Sequence, residues 1–250
     1  MAQLKAYHRP ASVSEALQLL ARPGARILAG GTALVPQMTG ADTDVIDLQS
    51  IGLDGVALAG DRLTLGAMVR LQTLVDSPDV PALLRELAHR EGPNTFRYQG
   101  TLGGVIAQAD PESELLAALL VFEAEVEIQS AAETRRLPLA EVLANVPAAL
   151  SAGLITAVSL ATGGPAASER VVRTPADKPI VAAVARRDGQ GQLRLALCGV
   201  AAVPVLTDPT PDQLKARLNP PGDFRGSTEY RRQMAAILSR RVLAAVQAEA

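Results

Sequence analysis

Tryptophan is absent from this chain, cysteine occurs once and histidine twice. With Cys198 alone, no disulfide can form within the chain and no iron–sulfur cluster can be held by its own thiolates. Cys198 lies in the strand-like run "LRLALCGV" and reads as a small buried hydrophobe. His8 and His89 are far apart and lack a neighbouring ligand pattern, which argues against a zinc site. Aromatic residues make up only 2%, so a core must be built from Leu, Val, Ile and Ala. Long apolar runs are missing too: "LLAALLVF" at Leu115–Phe122 is far too short to cross a bilayer. The opening "MAQLKAYHRP" has no apolar stretch of the signal-peptide kind. There is no basic block or Arg/Lys stripe interleaved with aromatics, and the net charge is −2, which argues against nucleic-acid binding. The expectation is a cytoplasmic protein without a membrane span.

What remains is ordinary globular composition. The chain has 250 residues, 48% apolar and 20% charged, enough for one large domain or two to three small ones. Ser12 and Glu15 form a capping box ahead of an apolar stripe at Val13, Ala16, Leu17 and Leu20, and Pro23-Gly24 ends that helix. "RIL" is a short strand, "LVPQMTG" a helical turn or two, and "DVIDL" at Asp44–Leu48 another strand. The alternation of "DRLTLGAMV" predicts a strand, followed by helix interrupted at Ser77-Pro78 and Pro81. The Gly- and Pro-rich segment "EGPNTFRYQGTLGGVIAQADP" is expected to be a long irregular loop, of the kind that is usually functional. Beyond it, "ESELLAALLVFEA" is helix, "EVEIQ" strand, "TRRLPLAEVL" a strand end with a short helix, and "LITAVSLA" a strand. Thr162–Glu169 is expected to be a linker. Two strands around Asp-Gly-Gln-Gly then form a hairpin, "VPVL" adds a third strand, and a long helix capped by Ser227 or Thr228 closes the chain. Arg231, Arg232, Arg240 and Arg241 on that helix are expected on a solvated or inter-subunit face. Helices and strands mix without regular βαβ alternation, which favours an α+β fold.

Two stretches share a grammar. "ILAGGTALVPQM" and "QGTLGGVIAQADPESELL" each place a threonine and a Gly-Gly pair between a strand-like run and a helical one. Glycine lets backbone amides approach a ligand closely, and a Gly-Gly pair ahead of a helix makes a concave row of donors suited to phosphate oxygens. Neither stretch matches the G-x-x-x-x-G-K-[ST] or the G-x-G-x-x-G pattern, so a P-loop and a Rossmann fingerprint are both excluded. By itself a Gly-Gly pair is weak evidence, since most such pairs are merely tight turns.

Further matches give the pairs a context. "LKAYHRPASVSEALQLL", Ala29 to Pro36, Thr101 to Ala124 and "STEYRRQMAAILSRRVL" resemble, in order and spacing, the motifs of the FAD-binding (medium) subunit of molybdenum hydroxylases, the xanthine dehydrogenase and aerobic carbon monoxide dehydrogenase family. The resemblance runs over nearly the whole chain. It implies a two-part α+β FAD-binding fold, residues 1–52 and 53–165, followed by a small C-terminal α+β domain, residues 170–250, with a three-stranded sheet and helices. It implies FAD in this chain, with the molybdenum cofactor on a large partner subunit and iron–sulfur clusters on a small one, in a dimer of heterotrimers. Electrons would pass from those clusters through the flavin to an external acceptor.

Carried over by position, Leu28, Ala29, Gly30, Gly31, Thr32, Ala33, Leu34 and Val35 would line one side of the FAD diphosphate. Thr101, Leu102, Gly103, Gly104 and Val105 would line the other. Glu114 stands where the family has an aspartate near the ribityl chain or flavin. Ile155 matches an apolar position beside the isoalloxazine, and Arg173 with Asp177 resembles a segment at the flavin edge. No residue is assigned a catalytic role in this chain. Ala33 and Val105 replace residues that are often polar in the family, which motivates an alternative: a scaffold subunit of the same fold with weakened or lost FAD binding.

Overall fold

A computed structural model of the chain describes residues 4–38, 43–151 and 153–248. The N-terminal part comprises strand β1 (Leu4–His8), helix α1 (Val13–Leu20), β2 (Ala25–Leu28), α2 (Leu34–Gln37) and β3 (Thr43–Asp47). The three strands run parallel in the order β1-β3-β2. Ser12 caps α1 by accepting the Glu15 amide at 3.2 Å, and the Glu15 carboxylate accepts the Ala11 amide at 2.8 Å. That is the reciprocal arrangement the sequence predicts, shifted by one residue on the return bond. Ala16 and Leu17 of α1 pack with Ile46 and Leu48. Residues 39–42, where the run read as helical ends, lie outside the described residues.

The middle of the chain is antiparallel. It holds β4 (Val56–Ala59), β5 (Arg62–Gly66), α3 (Leu71–Asp76), α4 (Ala82–Arg90), α5 (Asn94–Arg97), α6 (Leu102–Gln108), α7 (Glu114–Val121), β6 (Glu125–Ser130), β7 (Thr134–Pro138), α8 (Leu139–Ala144), α9 (Val146–Ala149) and β8 (Gly153–Ala161). The sheet order is β4-β5-β8-β6-β7. Helix α7, buried along its whole length, forms the centre of the main aliphatic core. The expected irregular loop from Glu91 to Pro111 instead contains α5 and α6, because Thr101 caps a helix whose first turn includes both glycines.

The C-terminal part holds β9 (Ala166–Val171), β10 (Val181–Arg187), β11 (Leu193–Cys198), β12 (Val205–Thr207), α10 (Pro211–Arg217) and α11 (Thr228–Ala248). Its sheet has four strands, β12-β11-β10-β9, not three. The extra strand, β9, comes from the segment expected to be a linker. Its composition is weak for a strand, but its backbone pairs with β10 over the full register from Val171↔Val181 to Ala166↔Arg186. One face of this sheet, including Ala182, Val184, Ala196 and Cys198, joins the main core. The other face packs on Leu238, Val242 and Val246 of α11. Ser227 caps α11 by accepting the Tyr230 amide at 3.2 Å.

Arg231 departs from its expected solvated position. Its side chain is buried and donates to the carbonyls of Ile180 at 2.6 Å and Gly199 at 2.8 Å, and it pairs with Asp223 at 2.8 Å. Its place at the start of α11, over the end of β10, decides this against the simple reading of an Arg-Arg pair as surface.

Candidate functional site

The first glycine loop leaves the carboxyl end of β2. Gly31 has φ of +76°, a conformation that disfavours any side chain. Gly30 has a different constraint: a Cβ there would lie 1.9 Å from the backbone oxygen of Gln99 and 2.7 Å from its carbonyl carbon. The two loops therefore touch backbone to backbone, and only glycine at position 30 permits it. Among the described residues, no group accepts from the amides of Gly30, Gly31, Thr32 or Ala33. Four consecutive unpaired donors at a bend are an arrangement that suits an anion. Helix α2 has only four residues, so these oriented amides, more than a helix dipole, give the site its polarity.

The second loop is built differently. Residues 67–71 run as a ribbon beside residues 100–103: Gly103 donates to Ala67 O at 2.8 Å, Leu102 to Val69 O at 2.9 Å and Leu71 to Gly100 O at 3.0 Å. The Gly104 amide donates to Thr101 Oγ1 at 3.1 Å. The first amides of α6 are therefore already in use, and the expectation of a second free row of donors is corrected. This loop's contribution is a wall without side chains. A Cβ on Gly104 would contact only Thr101 Oγ1, at 3.0 Å, and one on Gly103 would press on Ala67 at 3.0 Å.

Arg97, which sequence reasoning missed, holds the approach to this wall. It is 6% exposed and has no carboxylate partner. Its guanidinium donates to Gln72 Oε1 at 2.9 Å, to the carbonyls of Gly92 at 2.7 Å and His89 at 3.2 Å, and to the Asn94 side chain. Arg70 in turn donates to Gln99 O, the atom against which Gly30 packs. The available signal was that Arg97 is the one charged residue between Glu91 and Asp110 in the Gly/Pro-rich segment.

Both loops open onto one cleft of about 950 Å³, at the upper end of the roughly 300–1,000 Å³ usual for cofactor and small-molecule sites. Ala29, Gly30, Gly31, Thr32, Ala33 and Leu34 line it from one side, and Thr101, Gly103 and Gly104 from the other. Ile155 joins them from the start of β8, with Leu154 and Met68 extending the apolar wall. Among the described residues, no carboxylate lines the cleft, and Arg26 is the one charged side chain that does. Unpaired amides, a guanidinium and an apolar wall suit an elongated anion with an aromatic or aliphatic end.

Seven of the residues carried over by resemblance do not line the cleft. Leu28 does not reach the cleft, its side chain lying 3.5 Å from where a Cβ on Gly31 would stand, and Val35 points outward at 58% exposure. Leu102 and Val105 are in the main core, so the side chain at position 105 packs away from any ligand. Glu114 is the first residue of α7, buried between Arg90 at 3.1 Å and Arg170 at 3.2 Å. Arg173 and Asp177 pair with each other at 3.6 Å beside a second, small cavity of about 100 Å³, which they share with Lys178, Ile180 and Arg225.

Glu91 lies close to Glu114 in the chain's fold. Its Oε1 accepts from Ser113 Oγ at 2.5 Å and from the Leu115 amide at 3.2 Å, and Lys178 stands 4.0 Å away. Burial raises the carboxyls of both Glu91 and Glu114 above their ordinary 4.5, against the pull of the neighbouring cations. A raised carboxyl makes the folded chain bind protons more tightly than the unfolded one. Its contribution to stability is full below pH 4.5 and is lost as pH rises through the folded value. Glu91→Gln keeps an acceptor for Ser113 and Leu115 but never ionises. As pH rises above 4.5, thermal melts should therefore show a flatter decline in stability for this variant than for the wild type.

Comparison with known proteins agrees with this geometry. Residues 2–161 match the family model described as the FAD binding domain in molybdopterin dehydrogenase. The chain is 34% identical over 249 residues to the YgfM protein of Escherichia coli strain K12, covering 94% of this chain and 93% of that one. It is 29% identical over 279 residues to the carbon monoxide dehydrogenase medium chain of Afipia carboxidovorans, covering 98% and 97%. A solved structure of reconstituted CO dehydrogenase from Oligotropha carboxidovorans superposes with a TM-score of 0.85 at 27% identity, covering 100% of both chains. Matched by that family model over residues 2–161 and by relatives along nearly its full length, this chain is a member of the FAD-binding subunits of the molybdenum hydroxylase family, the flavoprotein subunit of an oxidoreductase.

Proposed function

We propose that the chain relays electrons within a molybdenum hydroxylase complex, from iron–sulfur clusters on a small subunit, by way of FAD, to an external acceptor. A large subunit would carry the molybdenum cofactor and oxidise the substrate. The complex would be a cytoplasmic dimer of heterotrimers, with this chain organised as units 1–52, 53–165 and 170–250. The observation that carries the reading is that two glycine loops distant in sequence form opposite walls of one cleft, with no carboxylate among its described lining residues.

The residues present fit FAD. The amides of Gly30, Gly31, Thr32 and Ala33 would bind the diphosphate, and Gly103 and Gly104 would let it approach the second wall closely. Met68, Leu154 and Ile155 would exclude water from an apolar ring system. Bound FAD would supply the redox chemistry. The chain's own work is to bind, orient and shield. The scaffold alternative keeps one supporting observation, the non-polar Ala33 on the cleft wall; Val105, buried in the core, no longer bears on it.

The relay is tested by mixing the oxidised, flavin-loaded chain with the purified iron–sulfur subunit reduced beforehand. Flavin absorbance should fall at a rate that saturates with partner concentration. Bleaching no faster than that of free FAD in the same mixture would contradict the relay.

A further inference from the structure

Among its described lining residues the cleft contains one uncompensated charge, Arg26, read in the sequence only as part of the short strand "RIL". Arg26 lies on β2, two residues before the strand ends, and lines the cleft together with Gln37. Its guanidinium bonds Gln37 Oε1 at 3.5 Å, the limit of a hydrogen bond. Most described arginines are paired to a carboxylate. Arg26 is not, and among the described residues no carboxylate lines the cleft that would compete for it. Gln37 lies about one helical turn, roughly 5 Å, beyond Ala33, the last of the free amides. A guanidinium anchored there stands beside the amide row rather than across the cleft from it.

Neutral amides alone leave a bound diphosphate with its full negative charge. A cation at the edge of the same row would offset part of that charge and favour the phosphate-bearing cofactor over an uncharged one. Resting on the FAD reading above, we infer that Arg26 is the counter-ion of the cofactor diphosphate and sets the selectivity of the cleft for a phosphorylated flavin. Gln37 holds the guanidinium in place before the ligand arrives. Arg26 itself is exposed and lies on the edge strand of its sheet, so its replacement leaves the core unchanged.

The test is a titration of the full chain with FAD at low and at high salt, for wild type, Arg26→Gln and Arg26→Lys, with thermal melts of each as a fold control. At low salt Arg26→Gln should raise the FAD dissociation constant about tenfold or more, and Arg26→Lys should recover much of the loss. High salt should weaken wild type towards the Arg26→Gln value and leave that variant little changed. A structural role for Arg26 would produce neither the lysine rescue nor the loss of salt sensitivity. Wild-type and Arg26→Gln affinities within twofold of each other at low salt overturn the inference and leave FAD binding standing. A folded wild type that takes up no FAD at any salt overturns the FAD reading and this inference together.

Discussion

Gly30→Ala should abolish retention of flavin by an otherwise folded chain. The added methyl would lie 1.9 Å from Gln99 O, a contact with backbone on both sides and no flexible side chain to yield. The two loops must separate, and the amide row at Gly30–Ala33 moves with its loop. Displacement of a binding constellation by about 1 Å costs on the order of a hundredfold, so FAD affinity should fall by about that factor. Gly55→Ala provides the control, because a Cβ there meets nothing within 4 Å and lies away from the cleft. FAD titration of the two variants checks the expectation. Equal affinity in Gly30→Ala and wild type would mean that the loops are not held together by this contact.

Arg97→Leu should produce the largest loss of stability. The leucine would fill much of the volume but leave the carbonyls of His89 and Gly92 and the side chains of Gln72 and Asn94 without their donor. Unsatisfied buried acceptors cost about 1–3 kcal/mol each, and partial relaxation brings the sum to about 3–5 kcal/mol. For a chain of this size that lowers the melting temperature by about 6–20 °C. Arg97→Lys should recover little, because one ammonium cannot reproduce a planar fork that serves four acceptors. Flavin affinity should fall as well, since the segment that Arg97 organises leads directly into Gln99 and Thr101. A melt within 2 °C of wild type would show that water replaces the guanidinium, contrary to the burial seen at this site.

Local chemistry made much of the fold readable from the residues alone. The Ser12–Glu15 box, the breaks at Pro78 and Pro81 and the Ser227 cap all act within a few positions of themselves, and each forms as expected. The Asp188 turn is another such case: its carboxylate accepts the amides of Gln190 at 2.9 Å and Gln192 at 2.8 Å and closes the β10–β11 hairpin. Features decided by distant partners were not readable. Strand β9 exists because β10 offers it an edge, and its own Gly-, Ala- and Pro-rich start resembles a linker. Arg231 is buried because two carbonyls at strand ends and Asp223 converge on it.

The site shows the same division. The glycine pairs marked both walls of the cleft, and the position of Ile155 in β8 brought it to the same space. The difference between the walls was not visible, because it depends on the pairing of residues 67–71 with 100–103, which uses up the amides of one loop and leaves those of the other free. Glu114 illustrates how a position can keep its place in a motif and have a different environment. Its carboxylate is enclosed by Arg90 and Arg170 and has no contact with the cleft.

The most direct test of the account is an absorbance spectrum of the full chain, loaded with FAD and then desalted. The account predicts flavin bands that remain with the protein in wild type and are lost in Gly30→Ala, with melts showing both chains folded. A folded wild type that emerges without flavin, even when loaded in the presence of its partner subunits, would contradict it and favour a scaffold that keeps the fold without the cofactor.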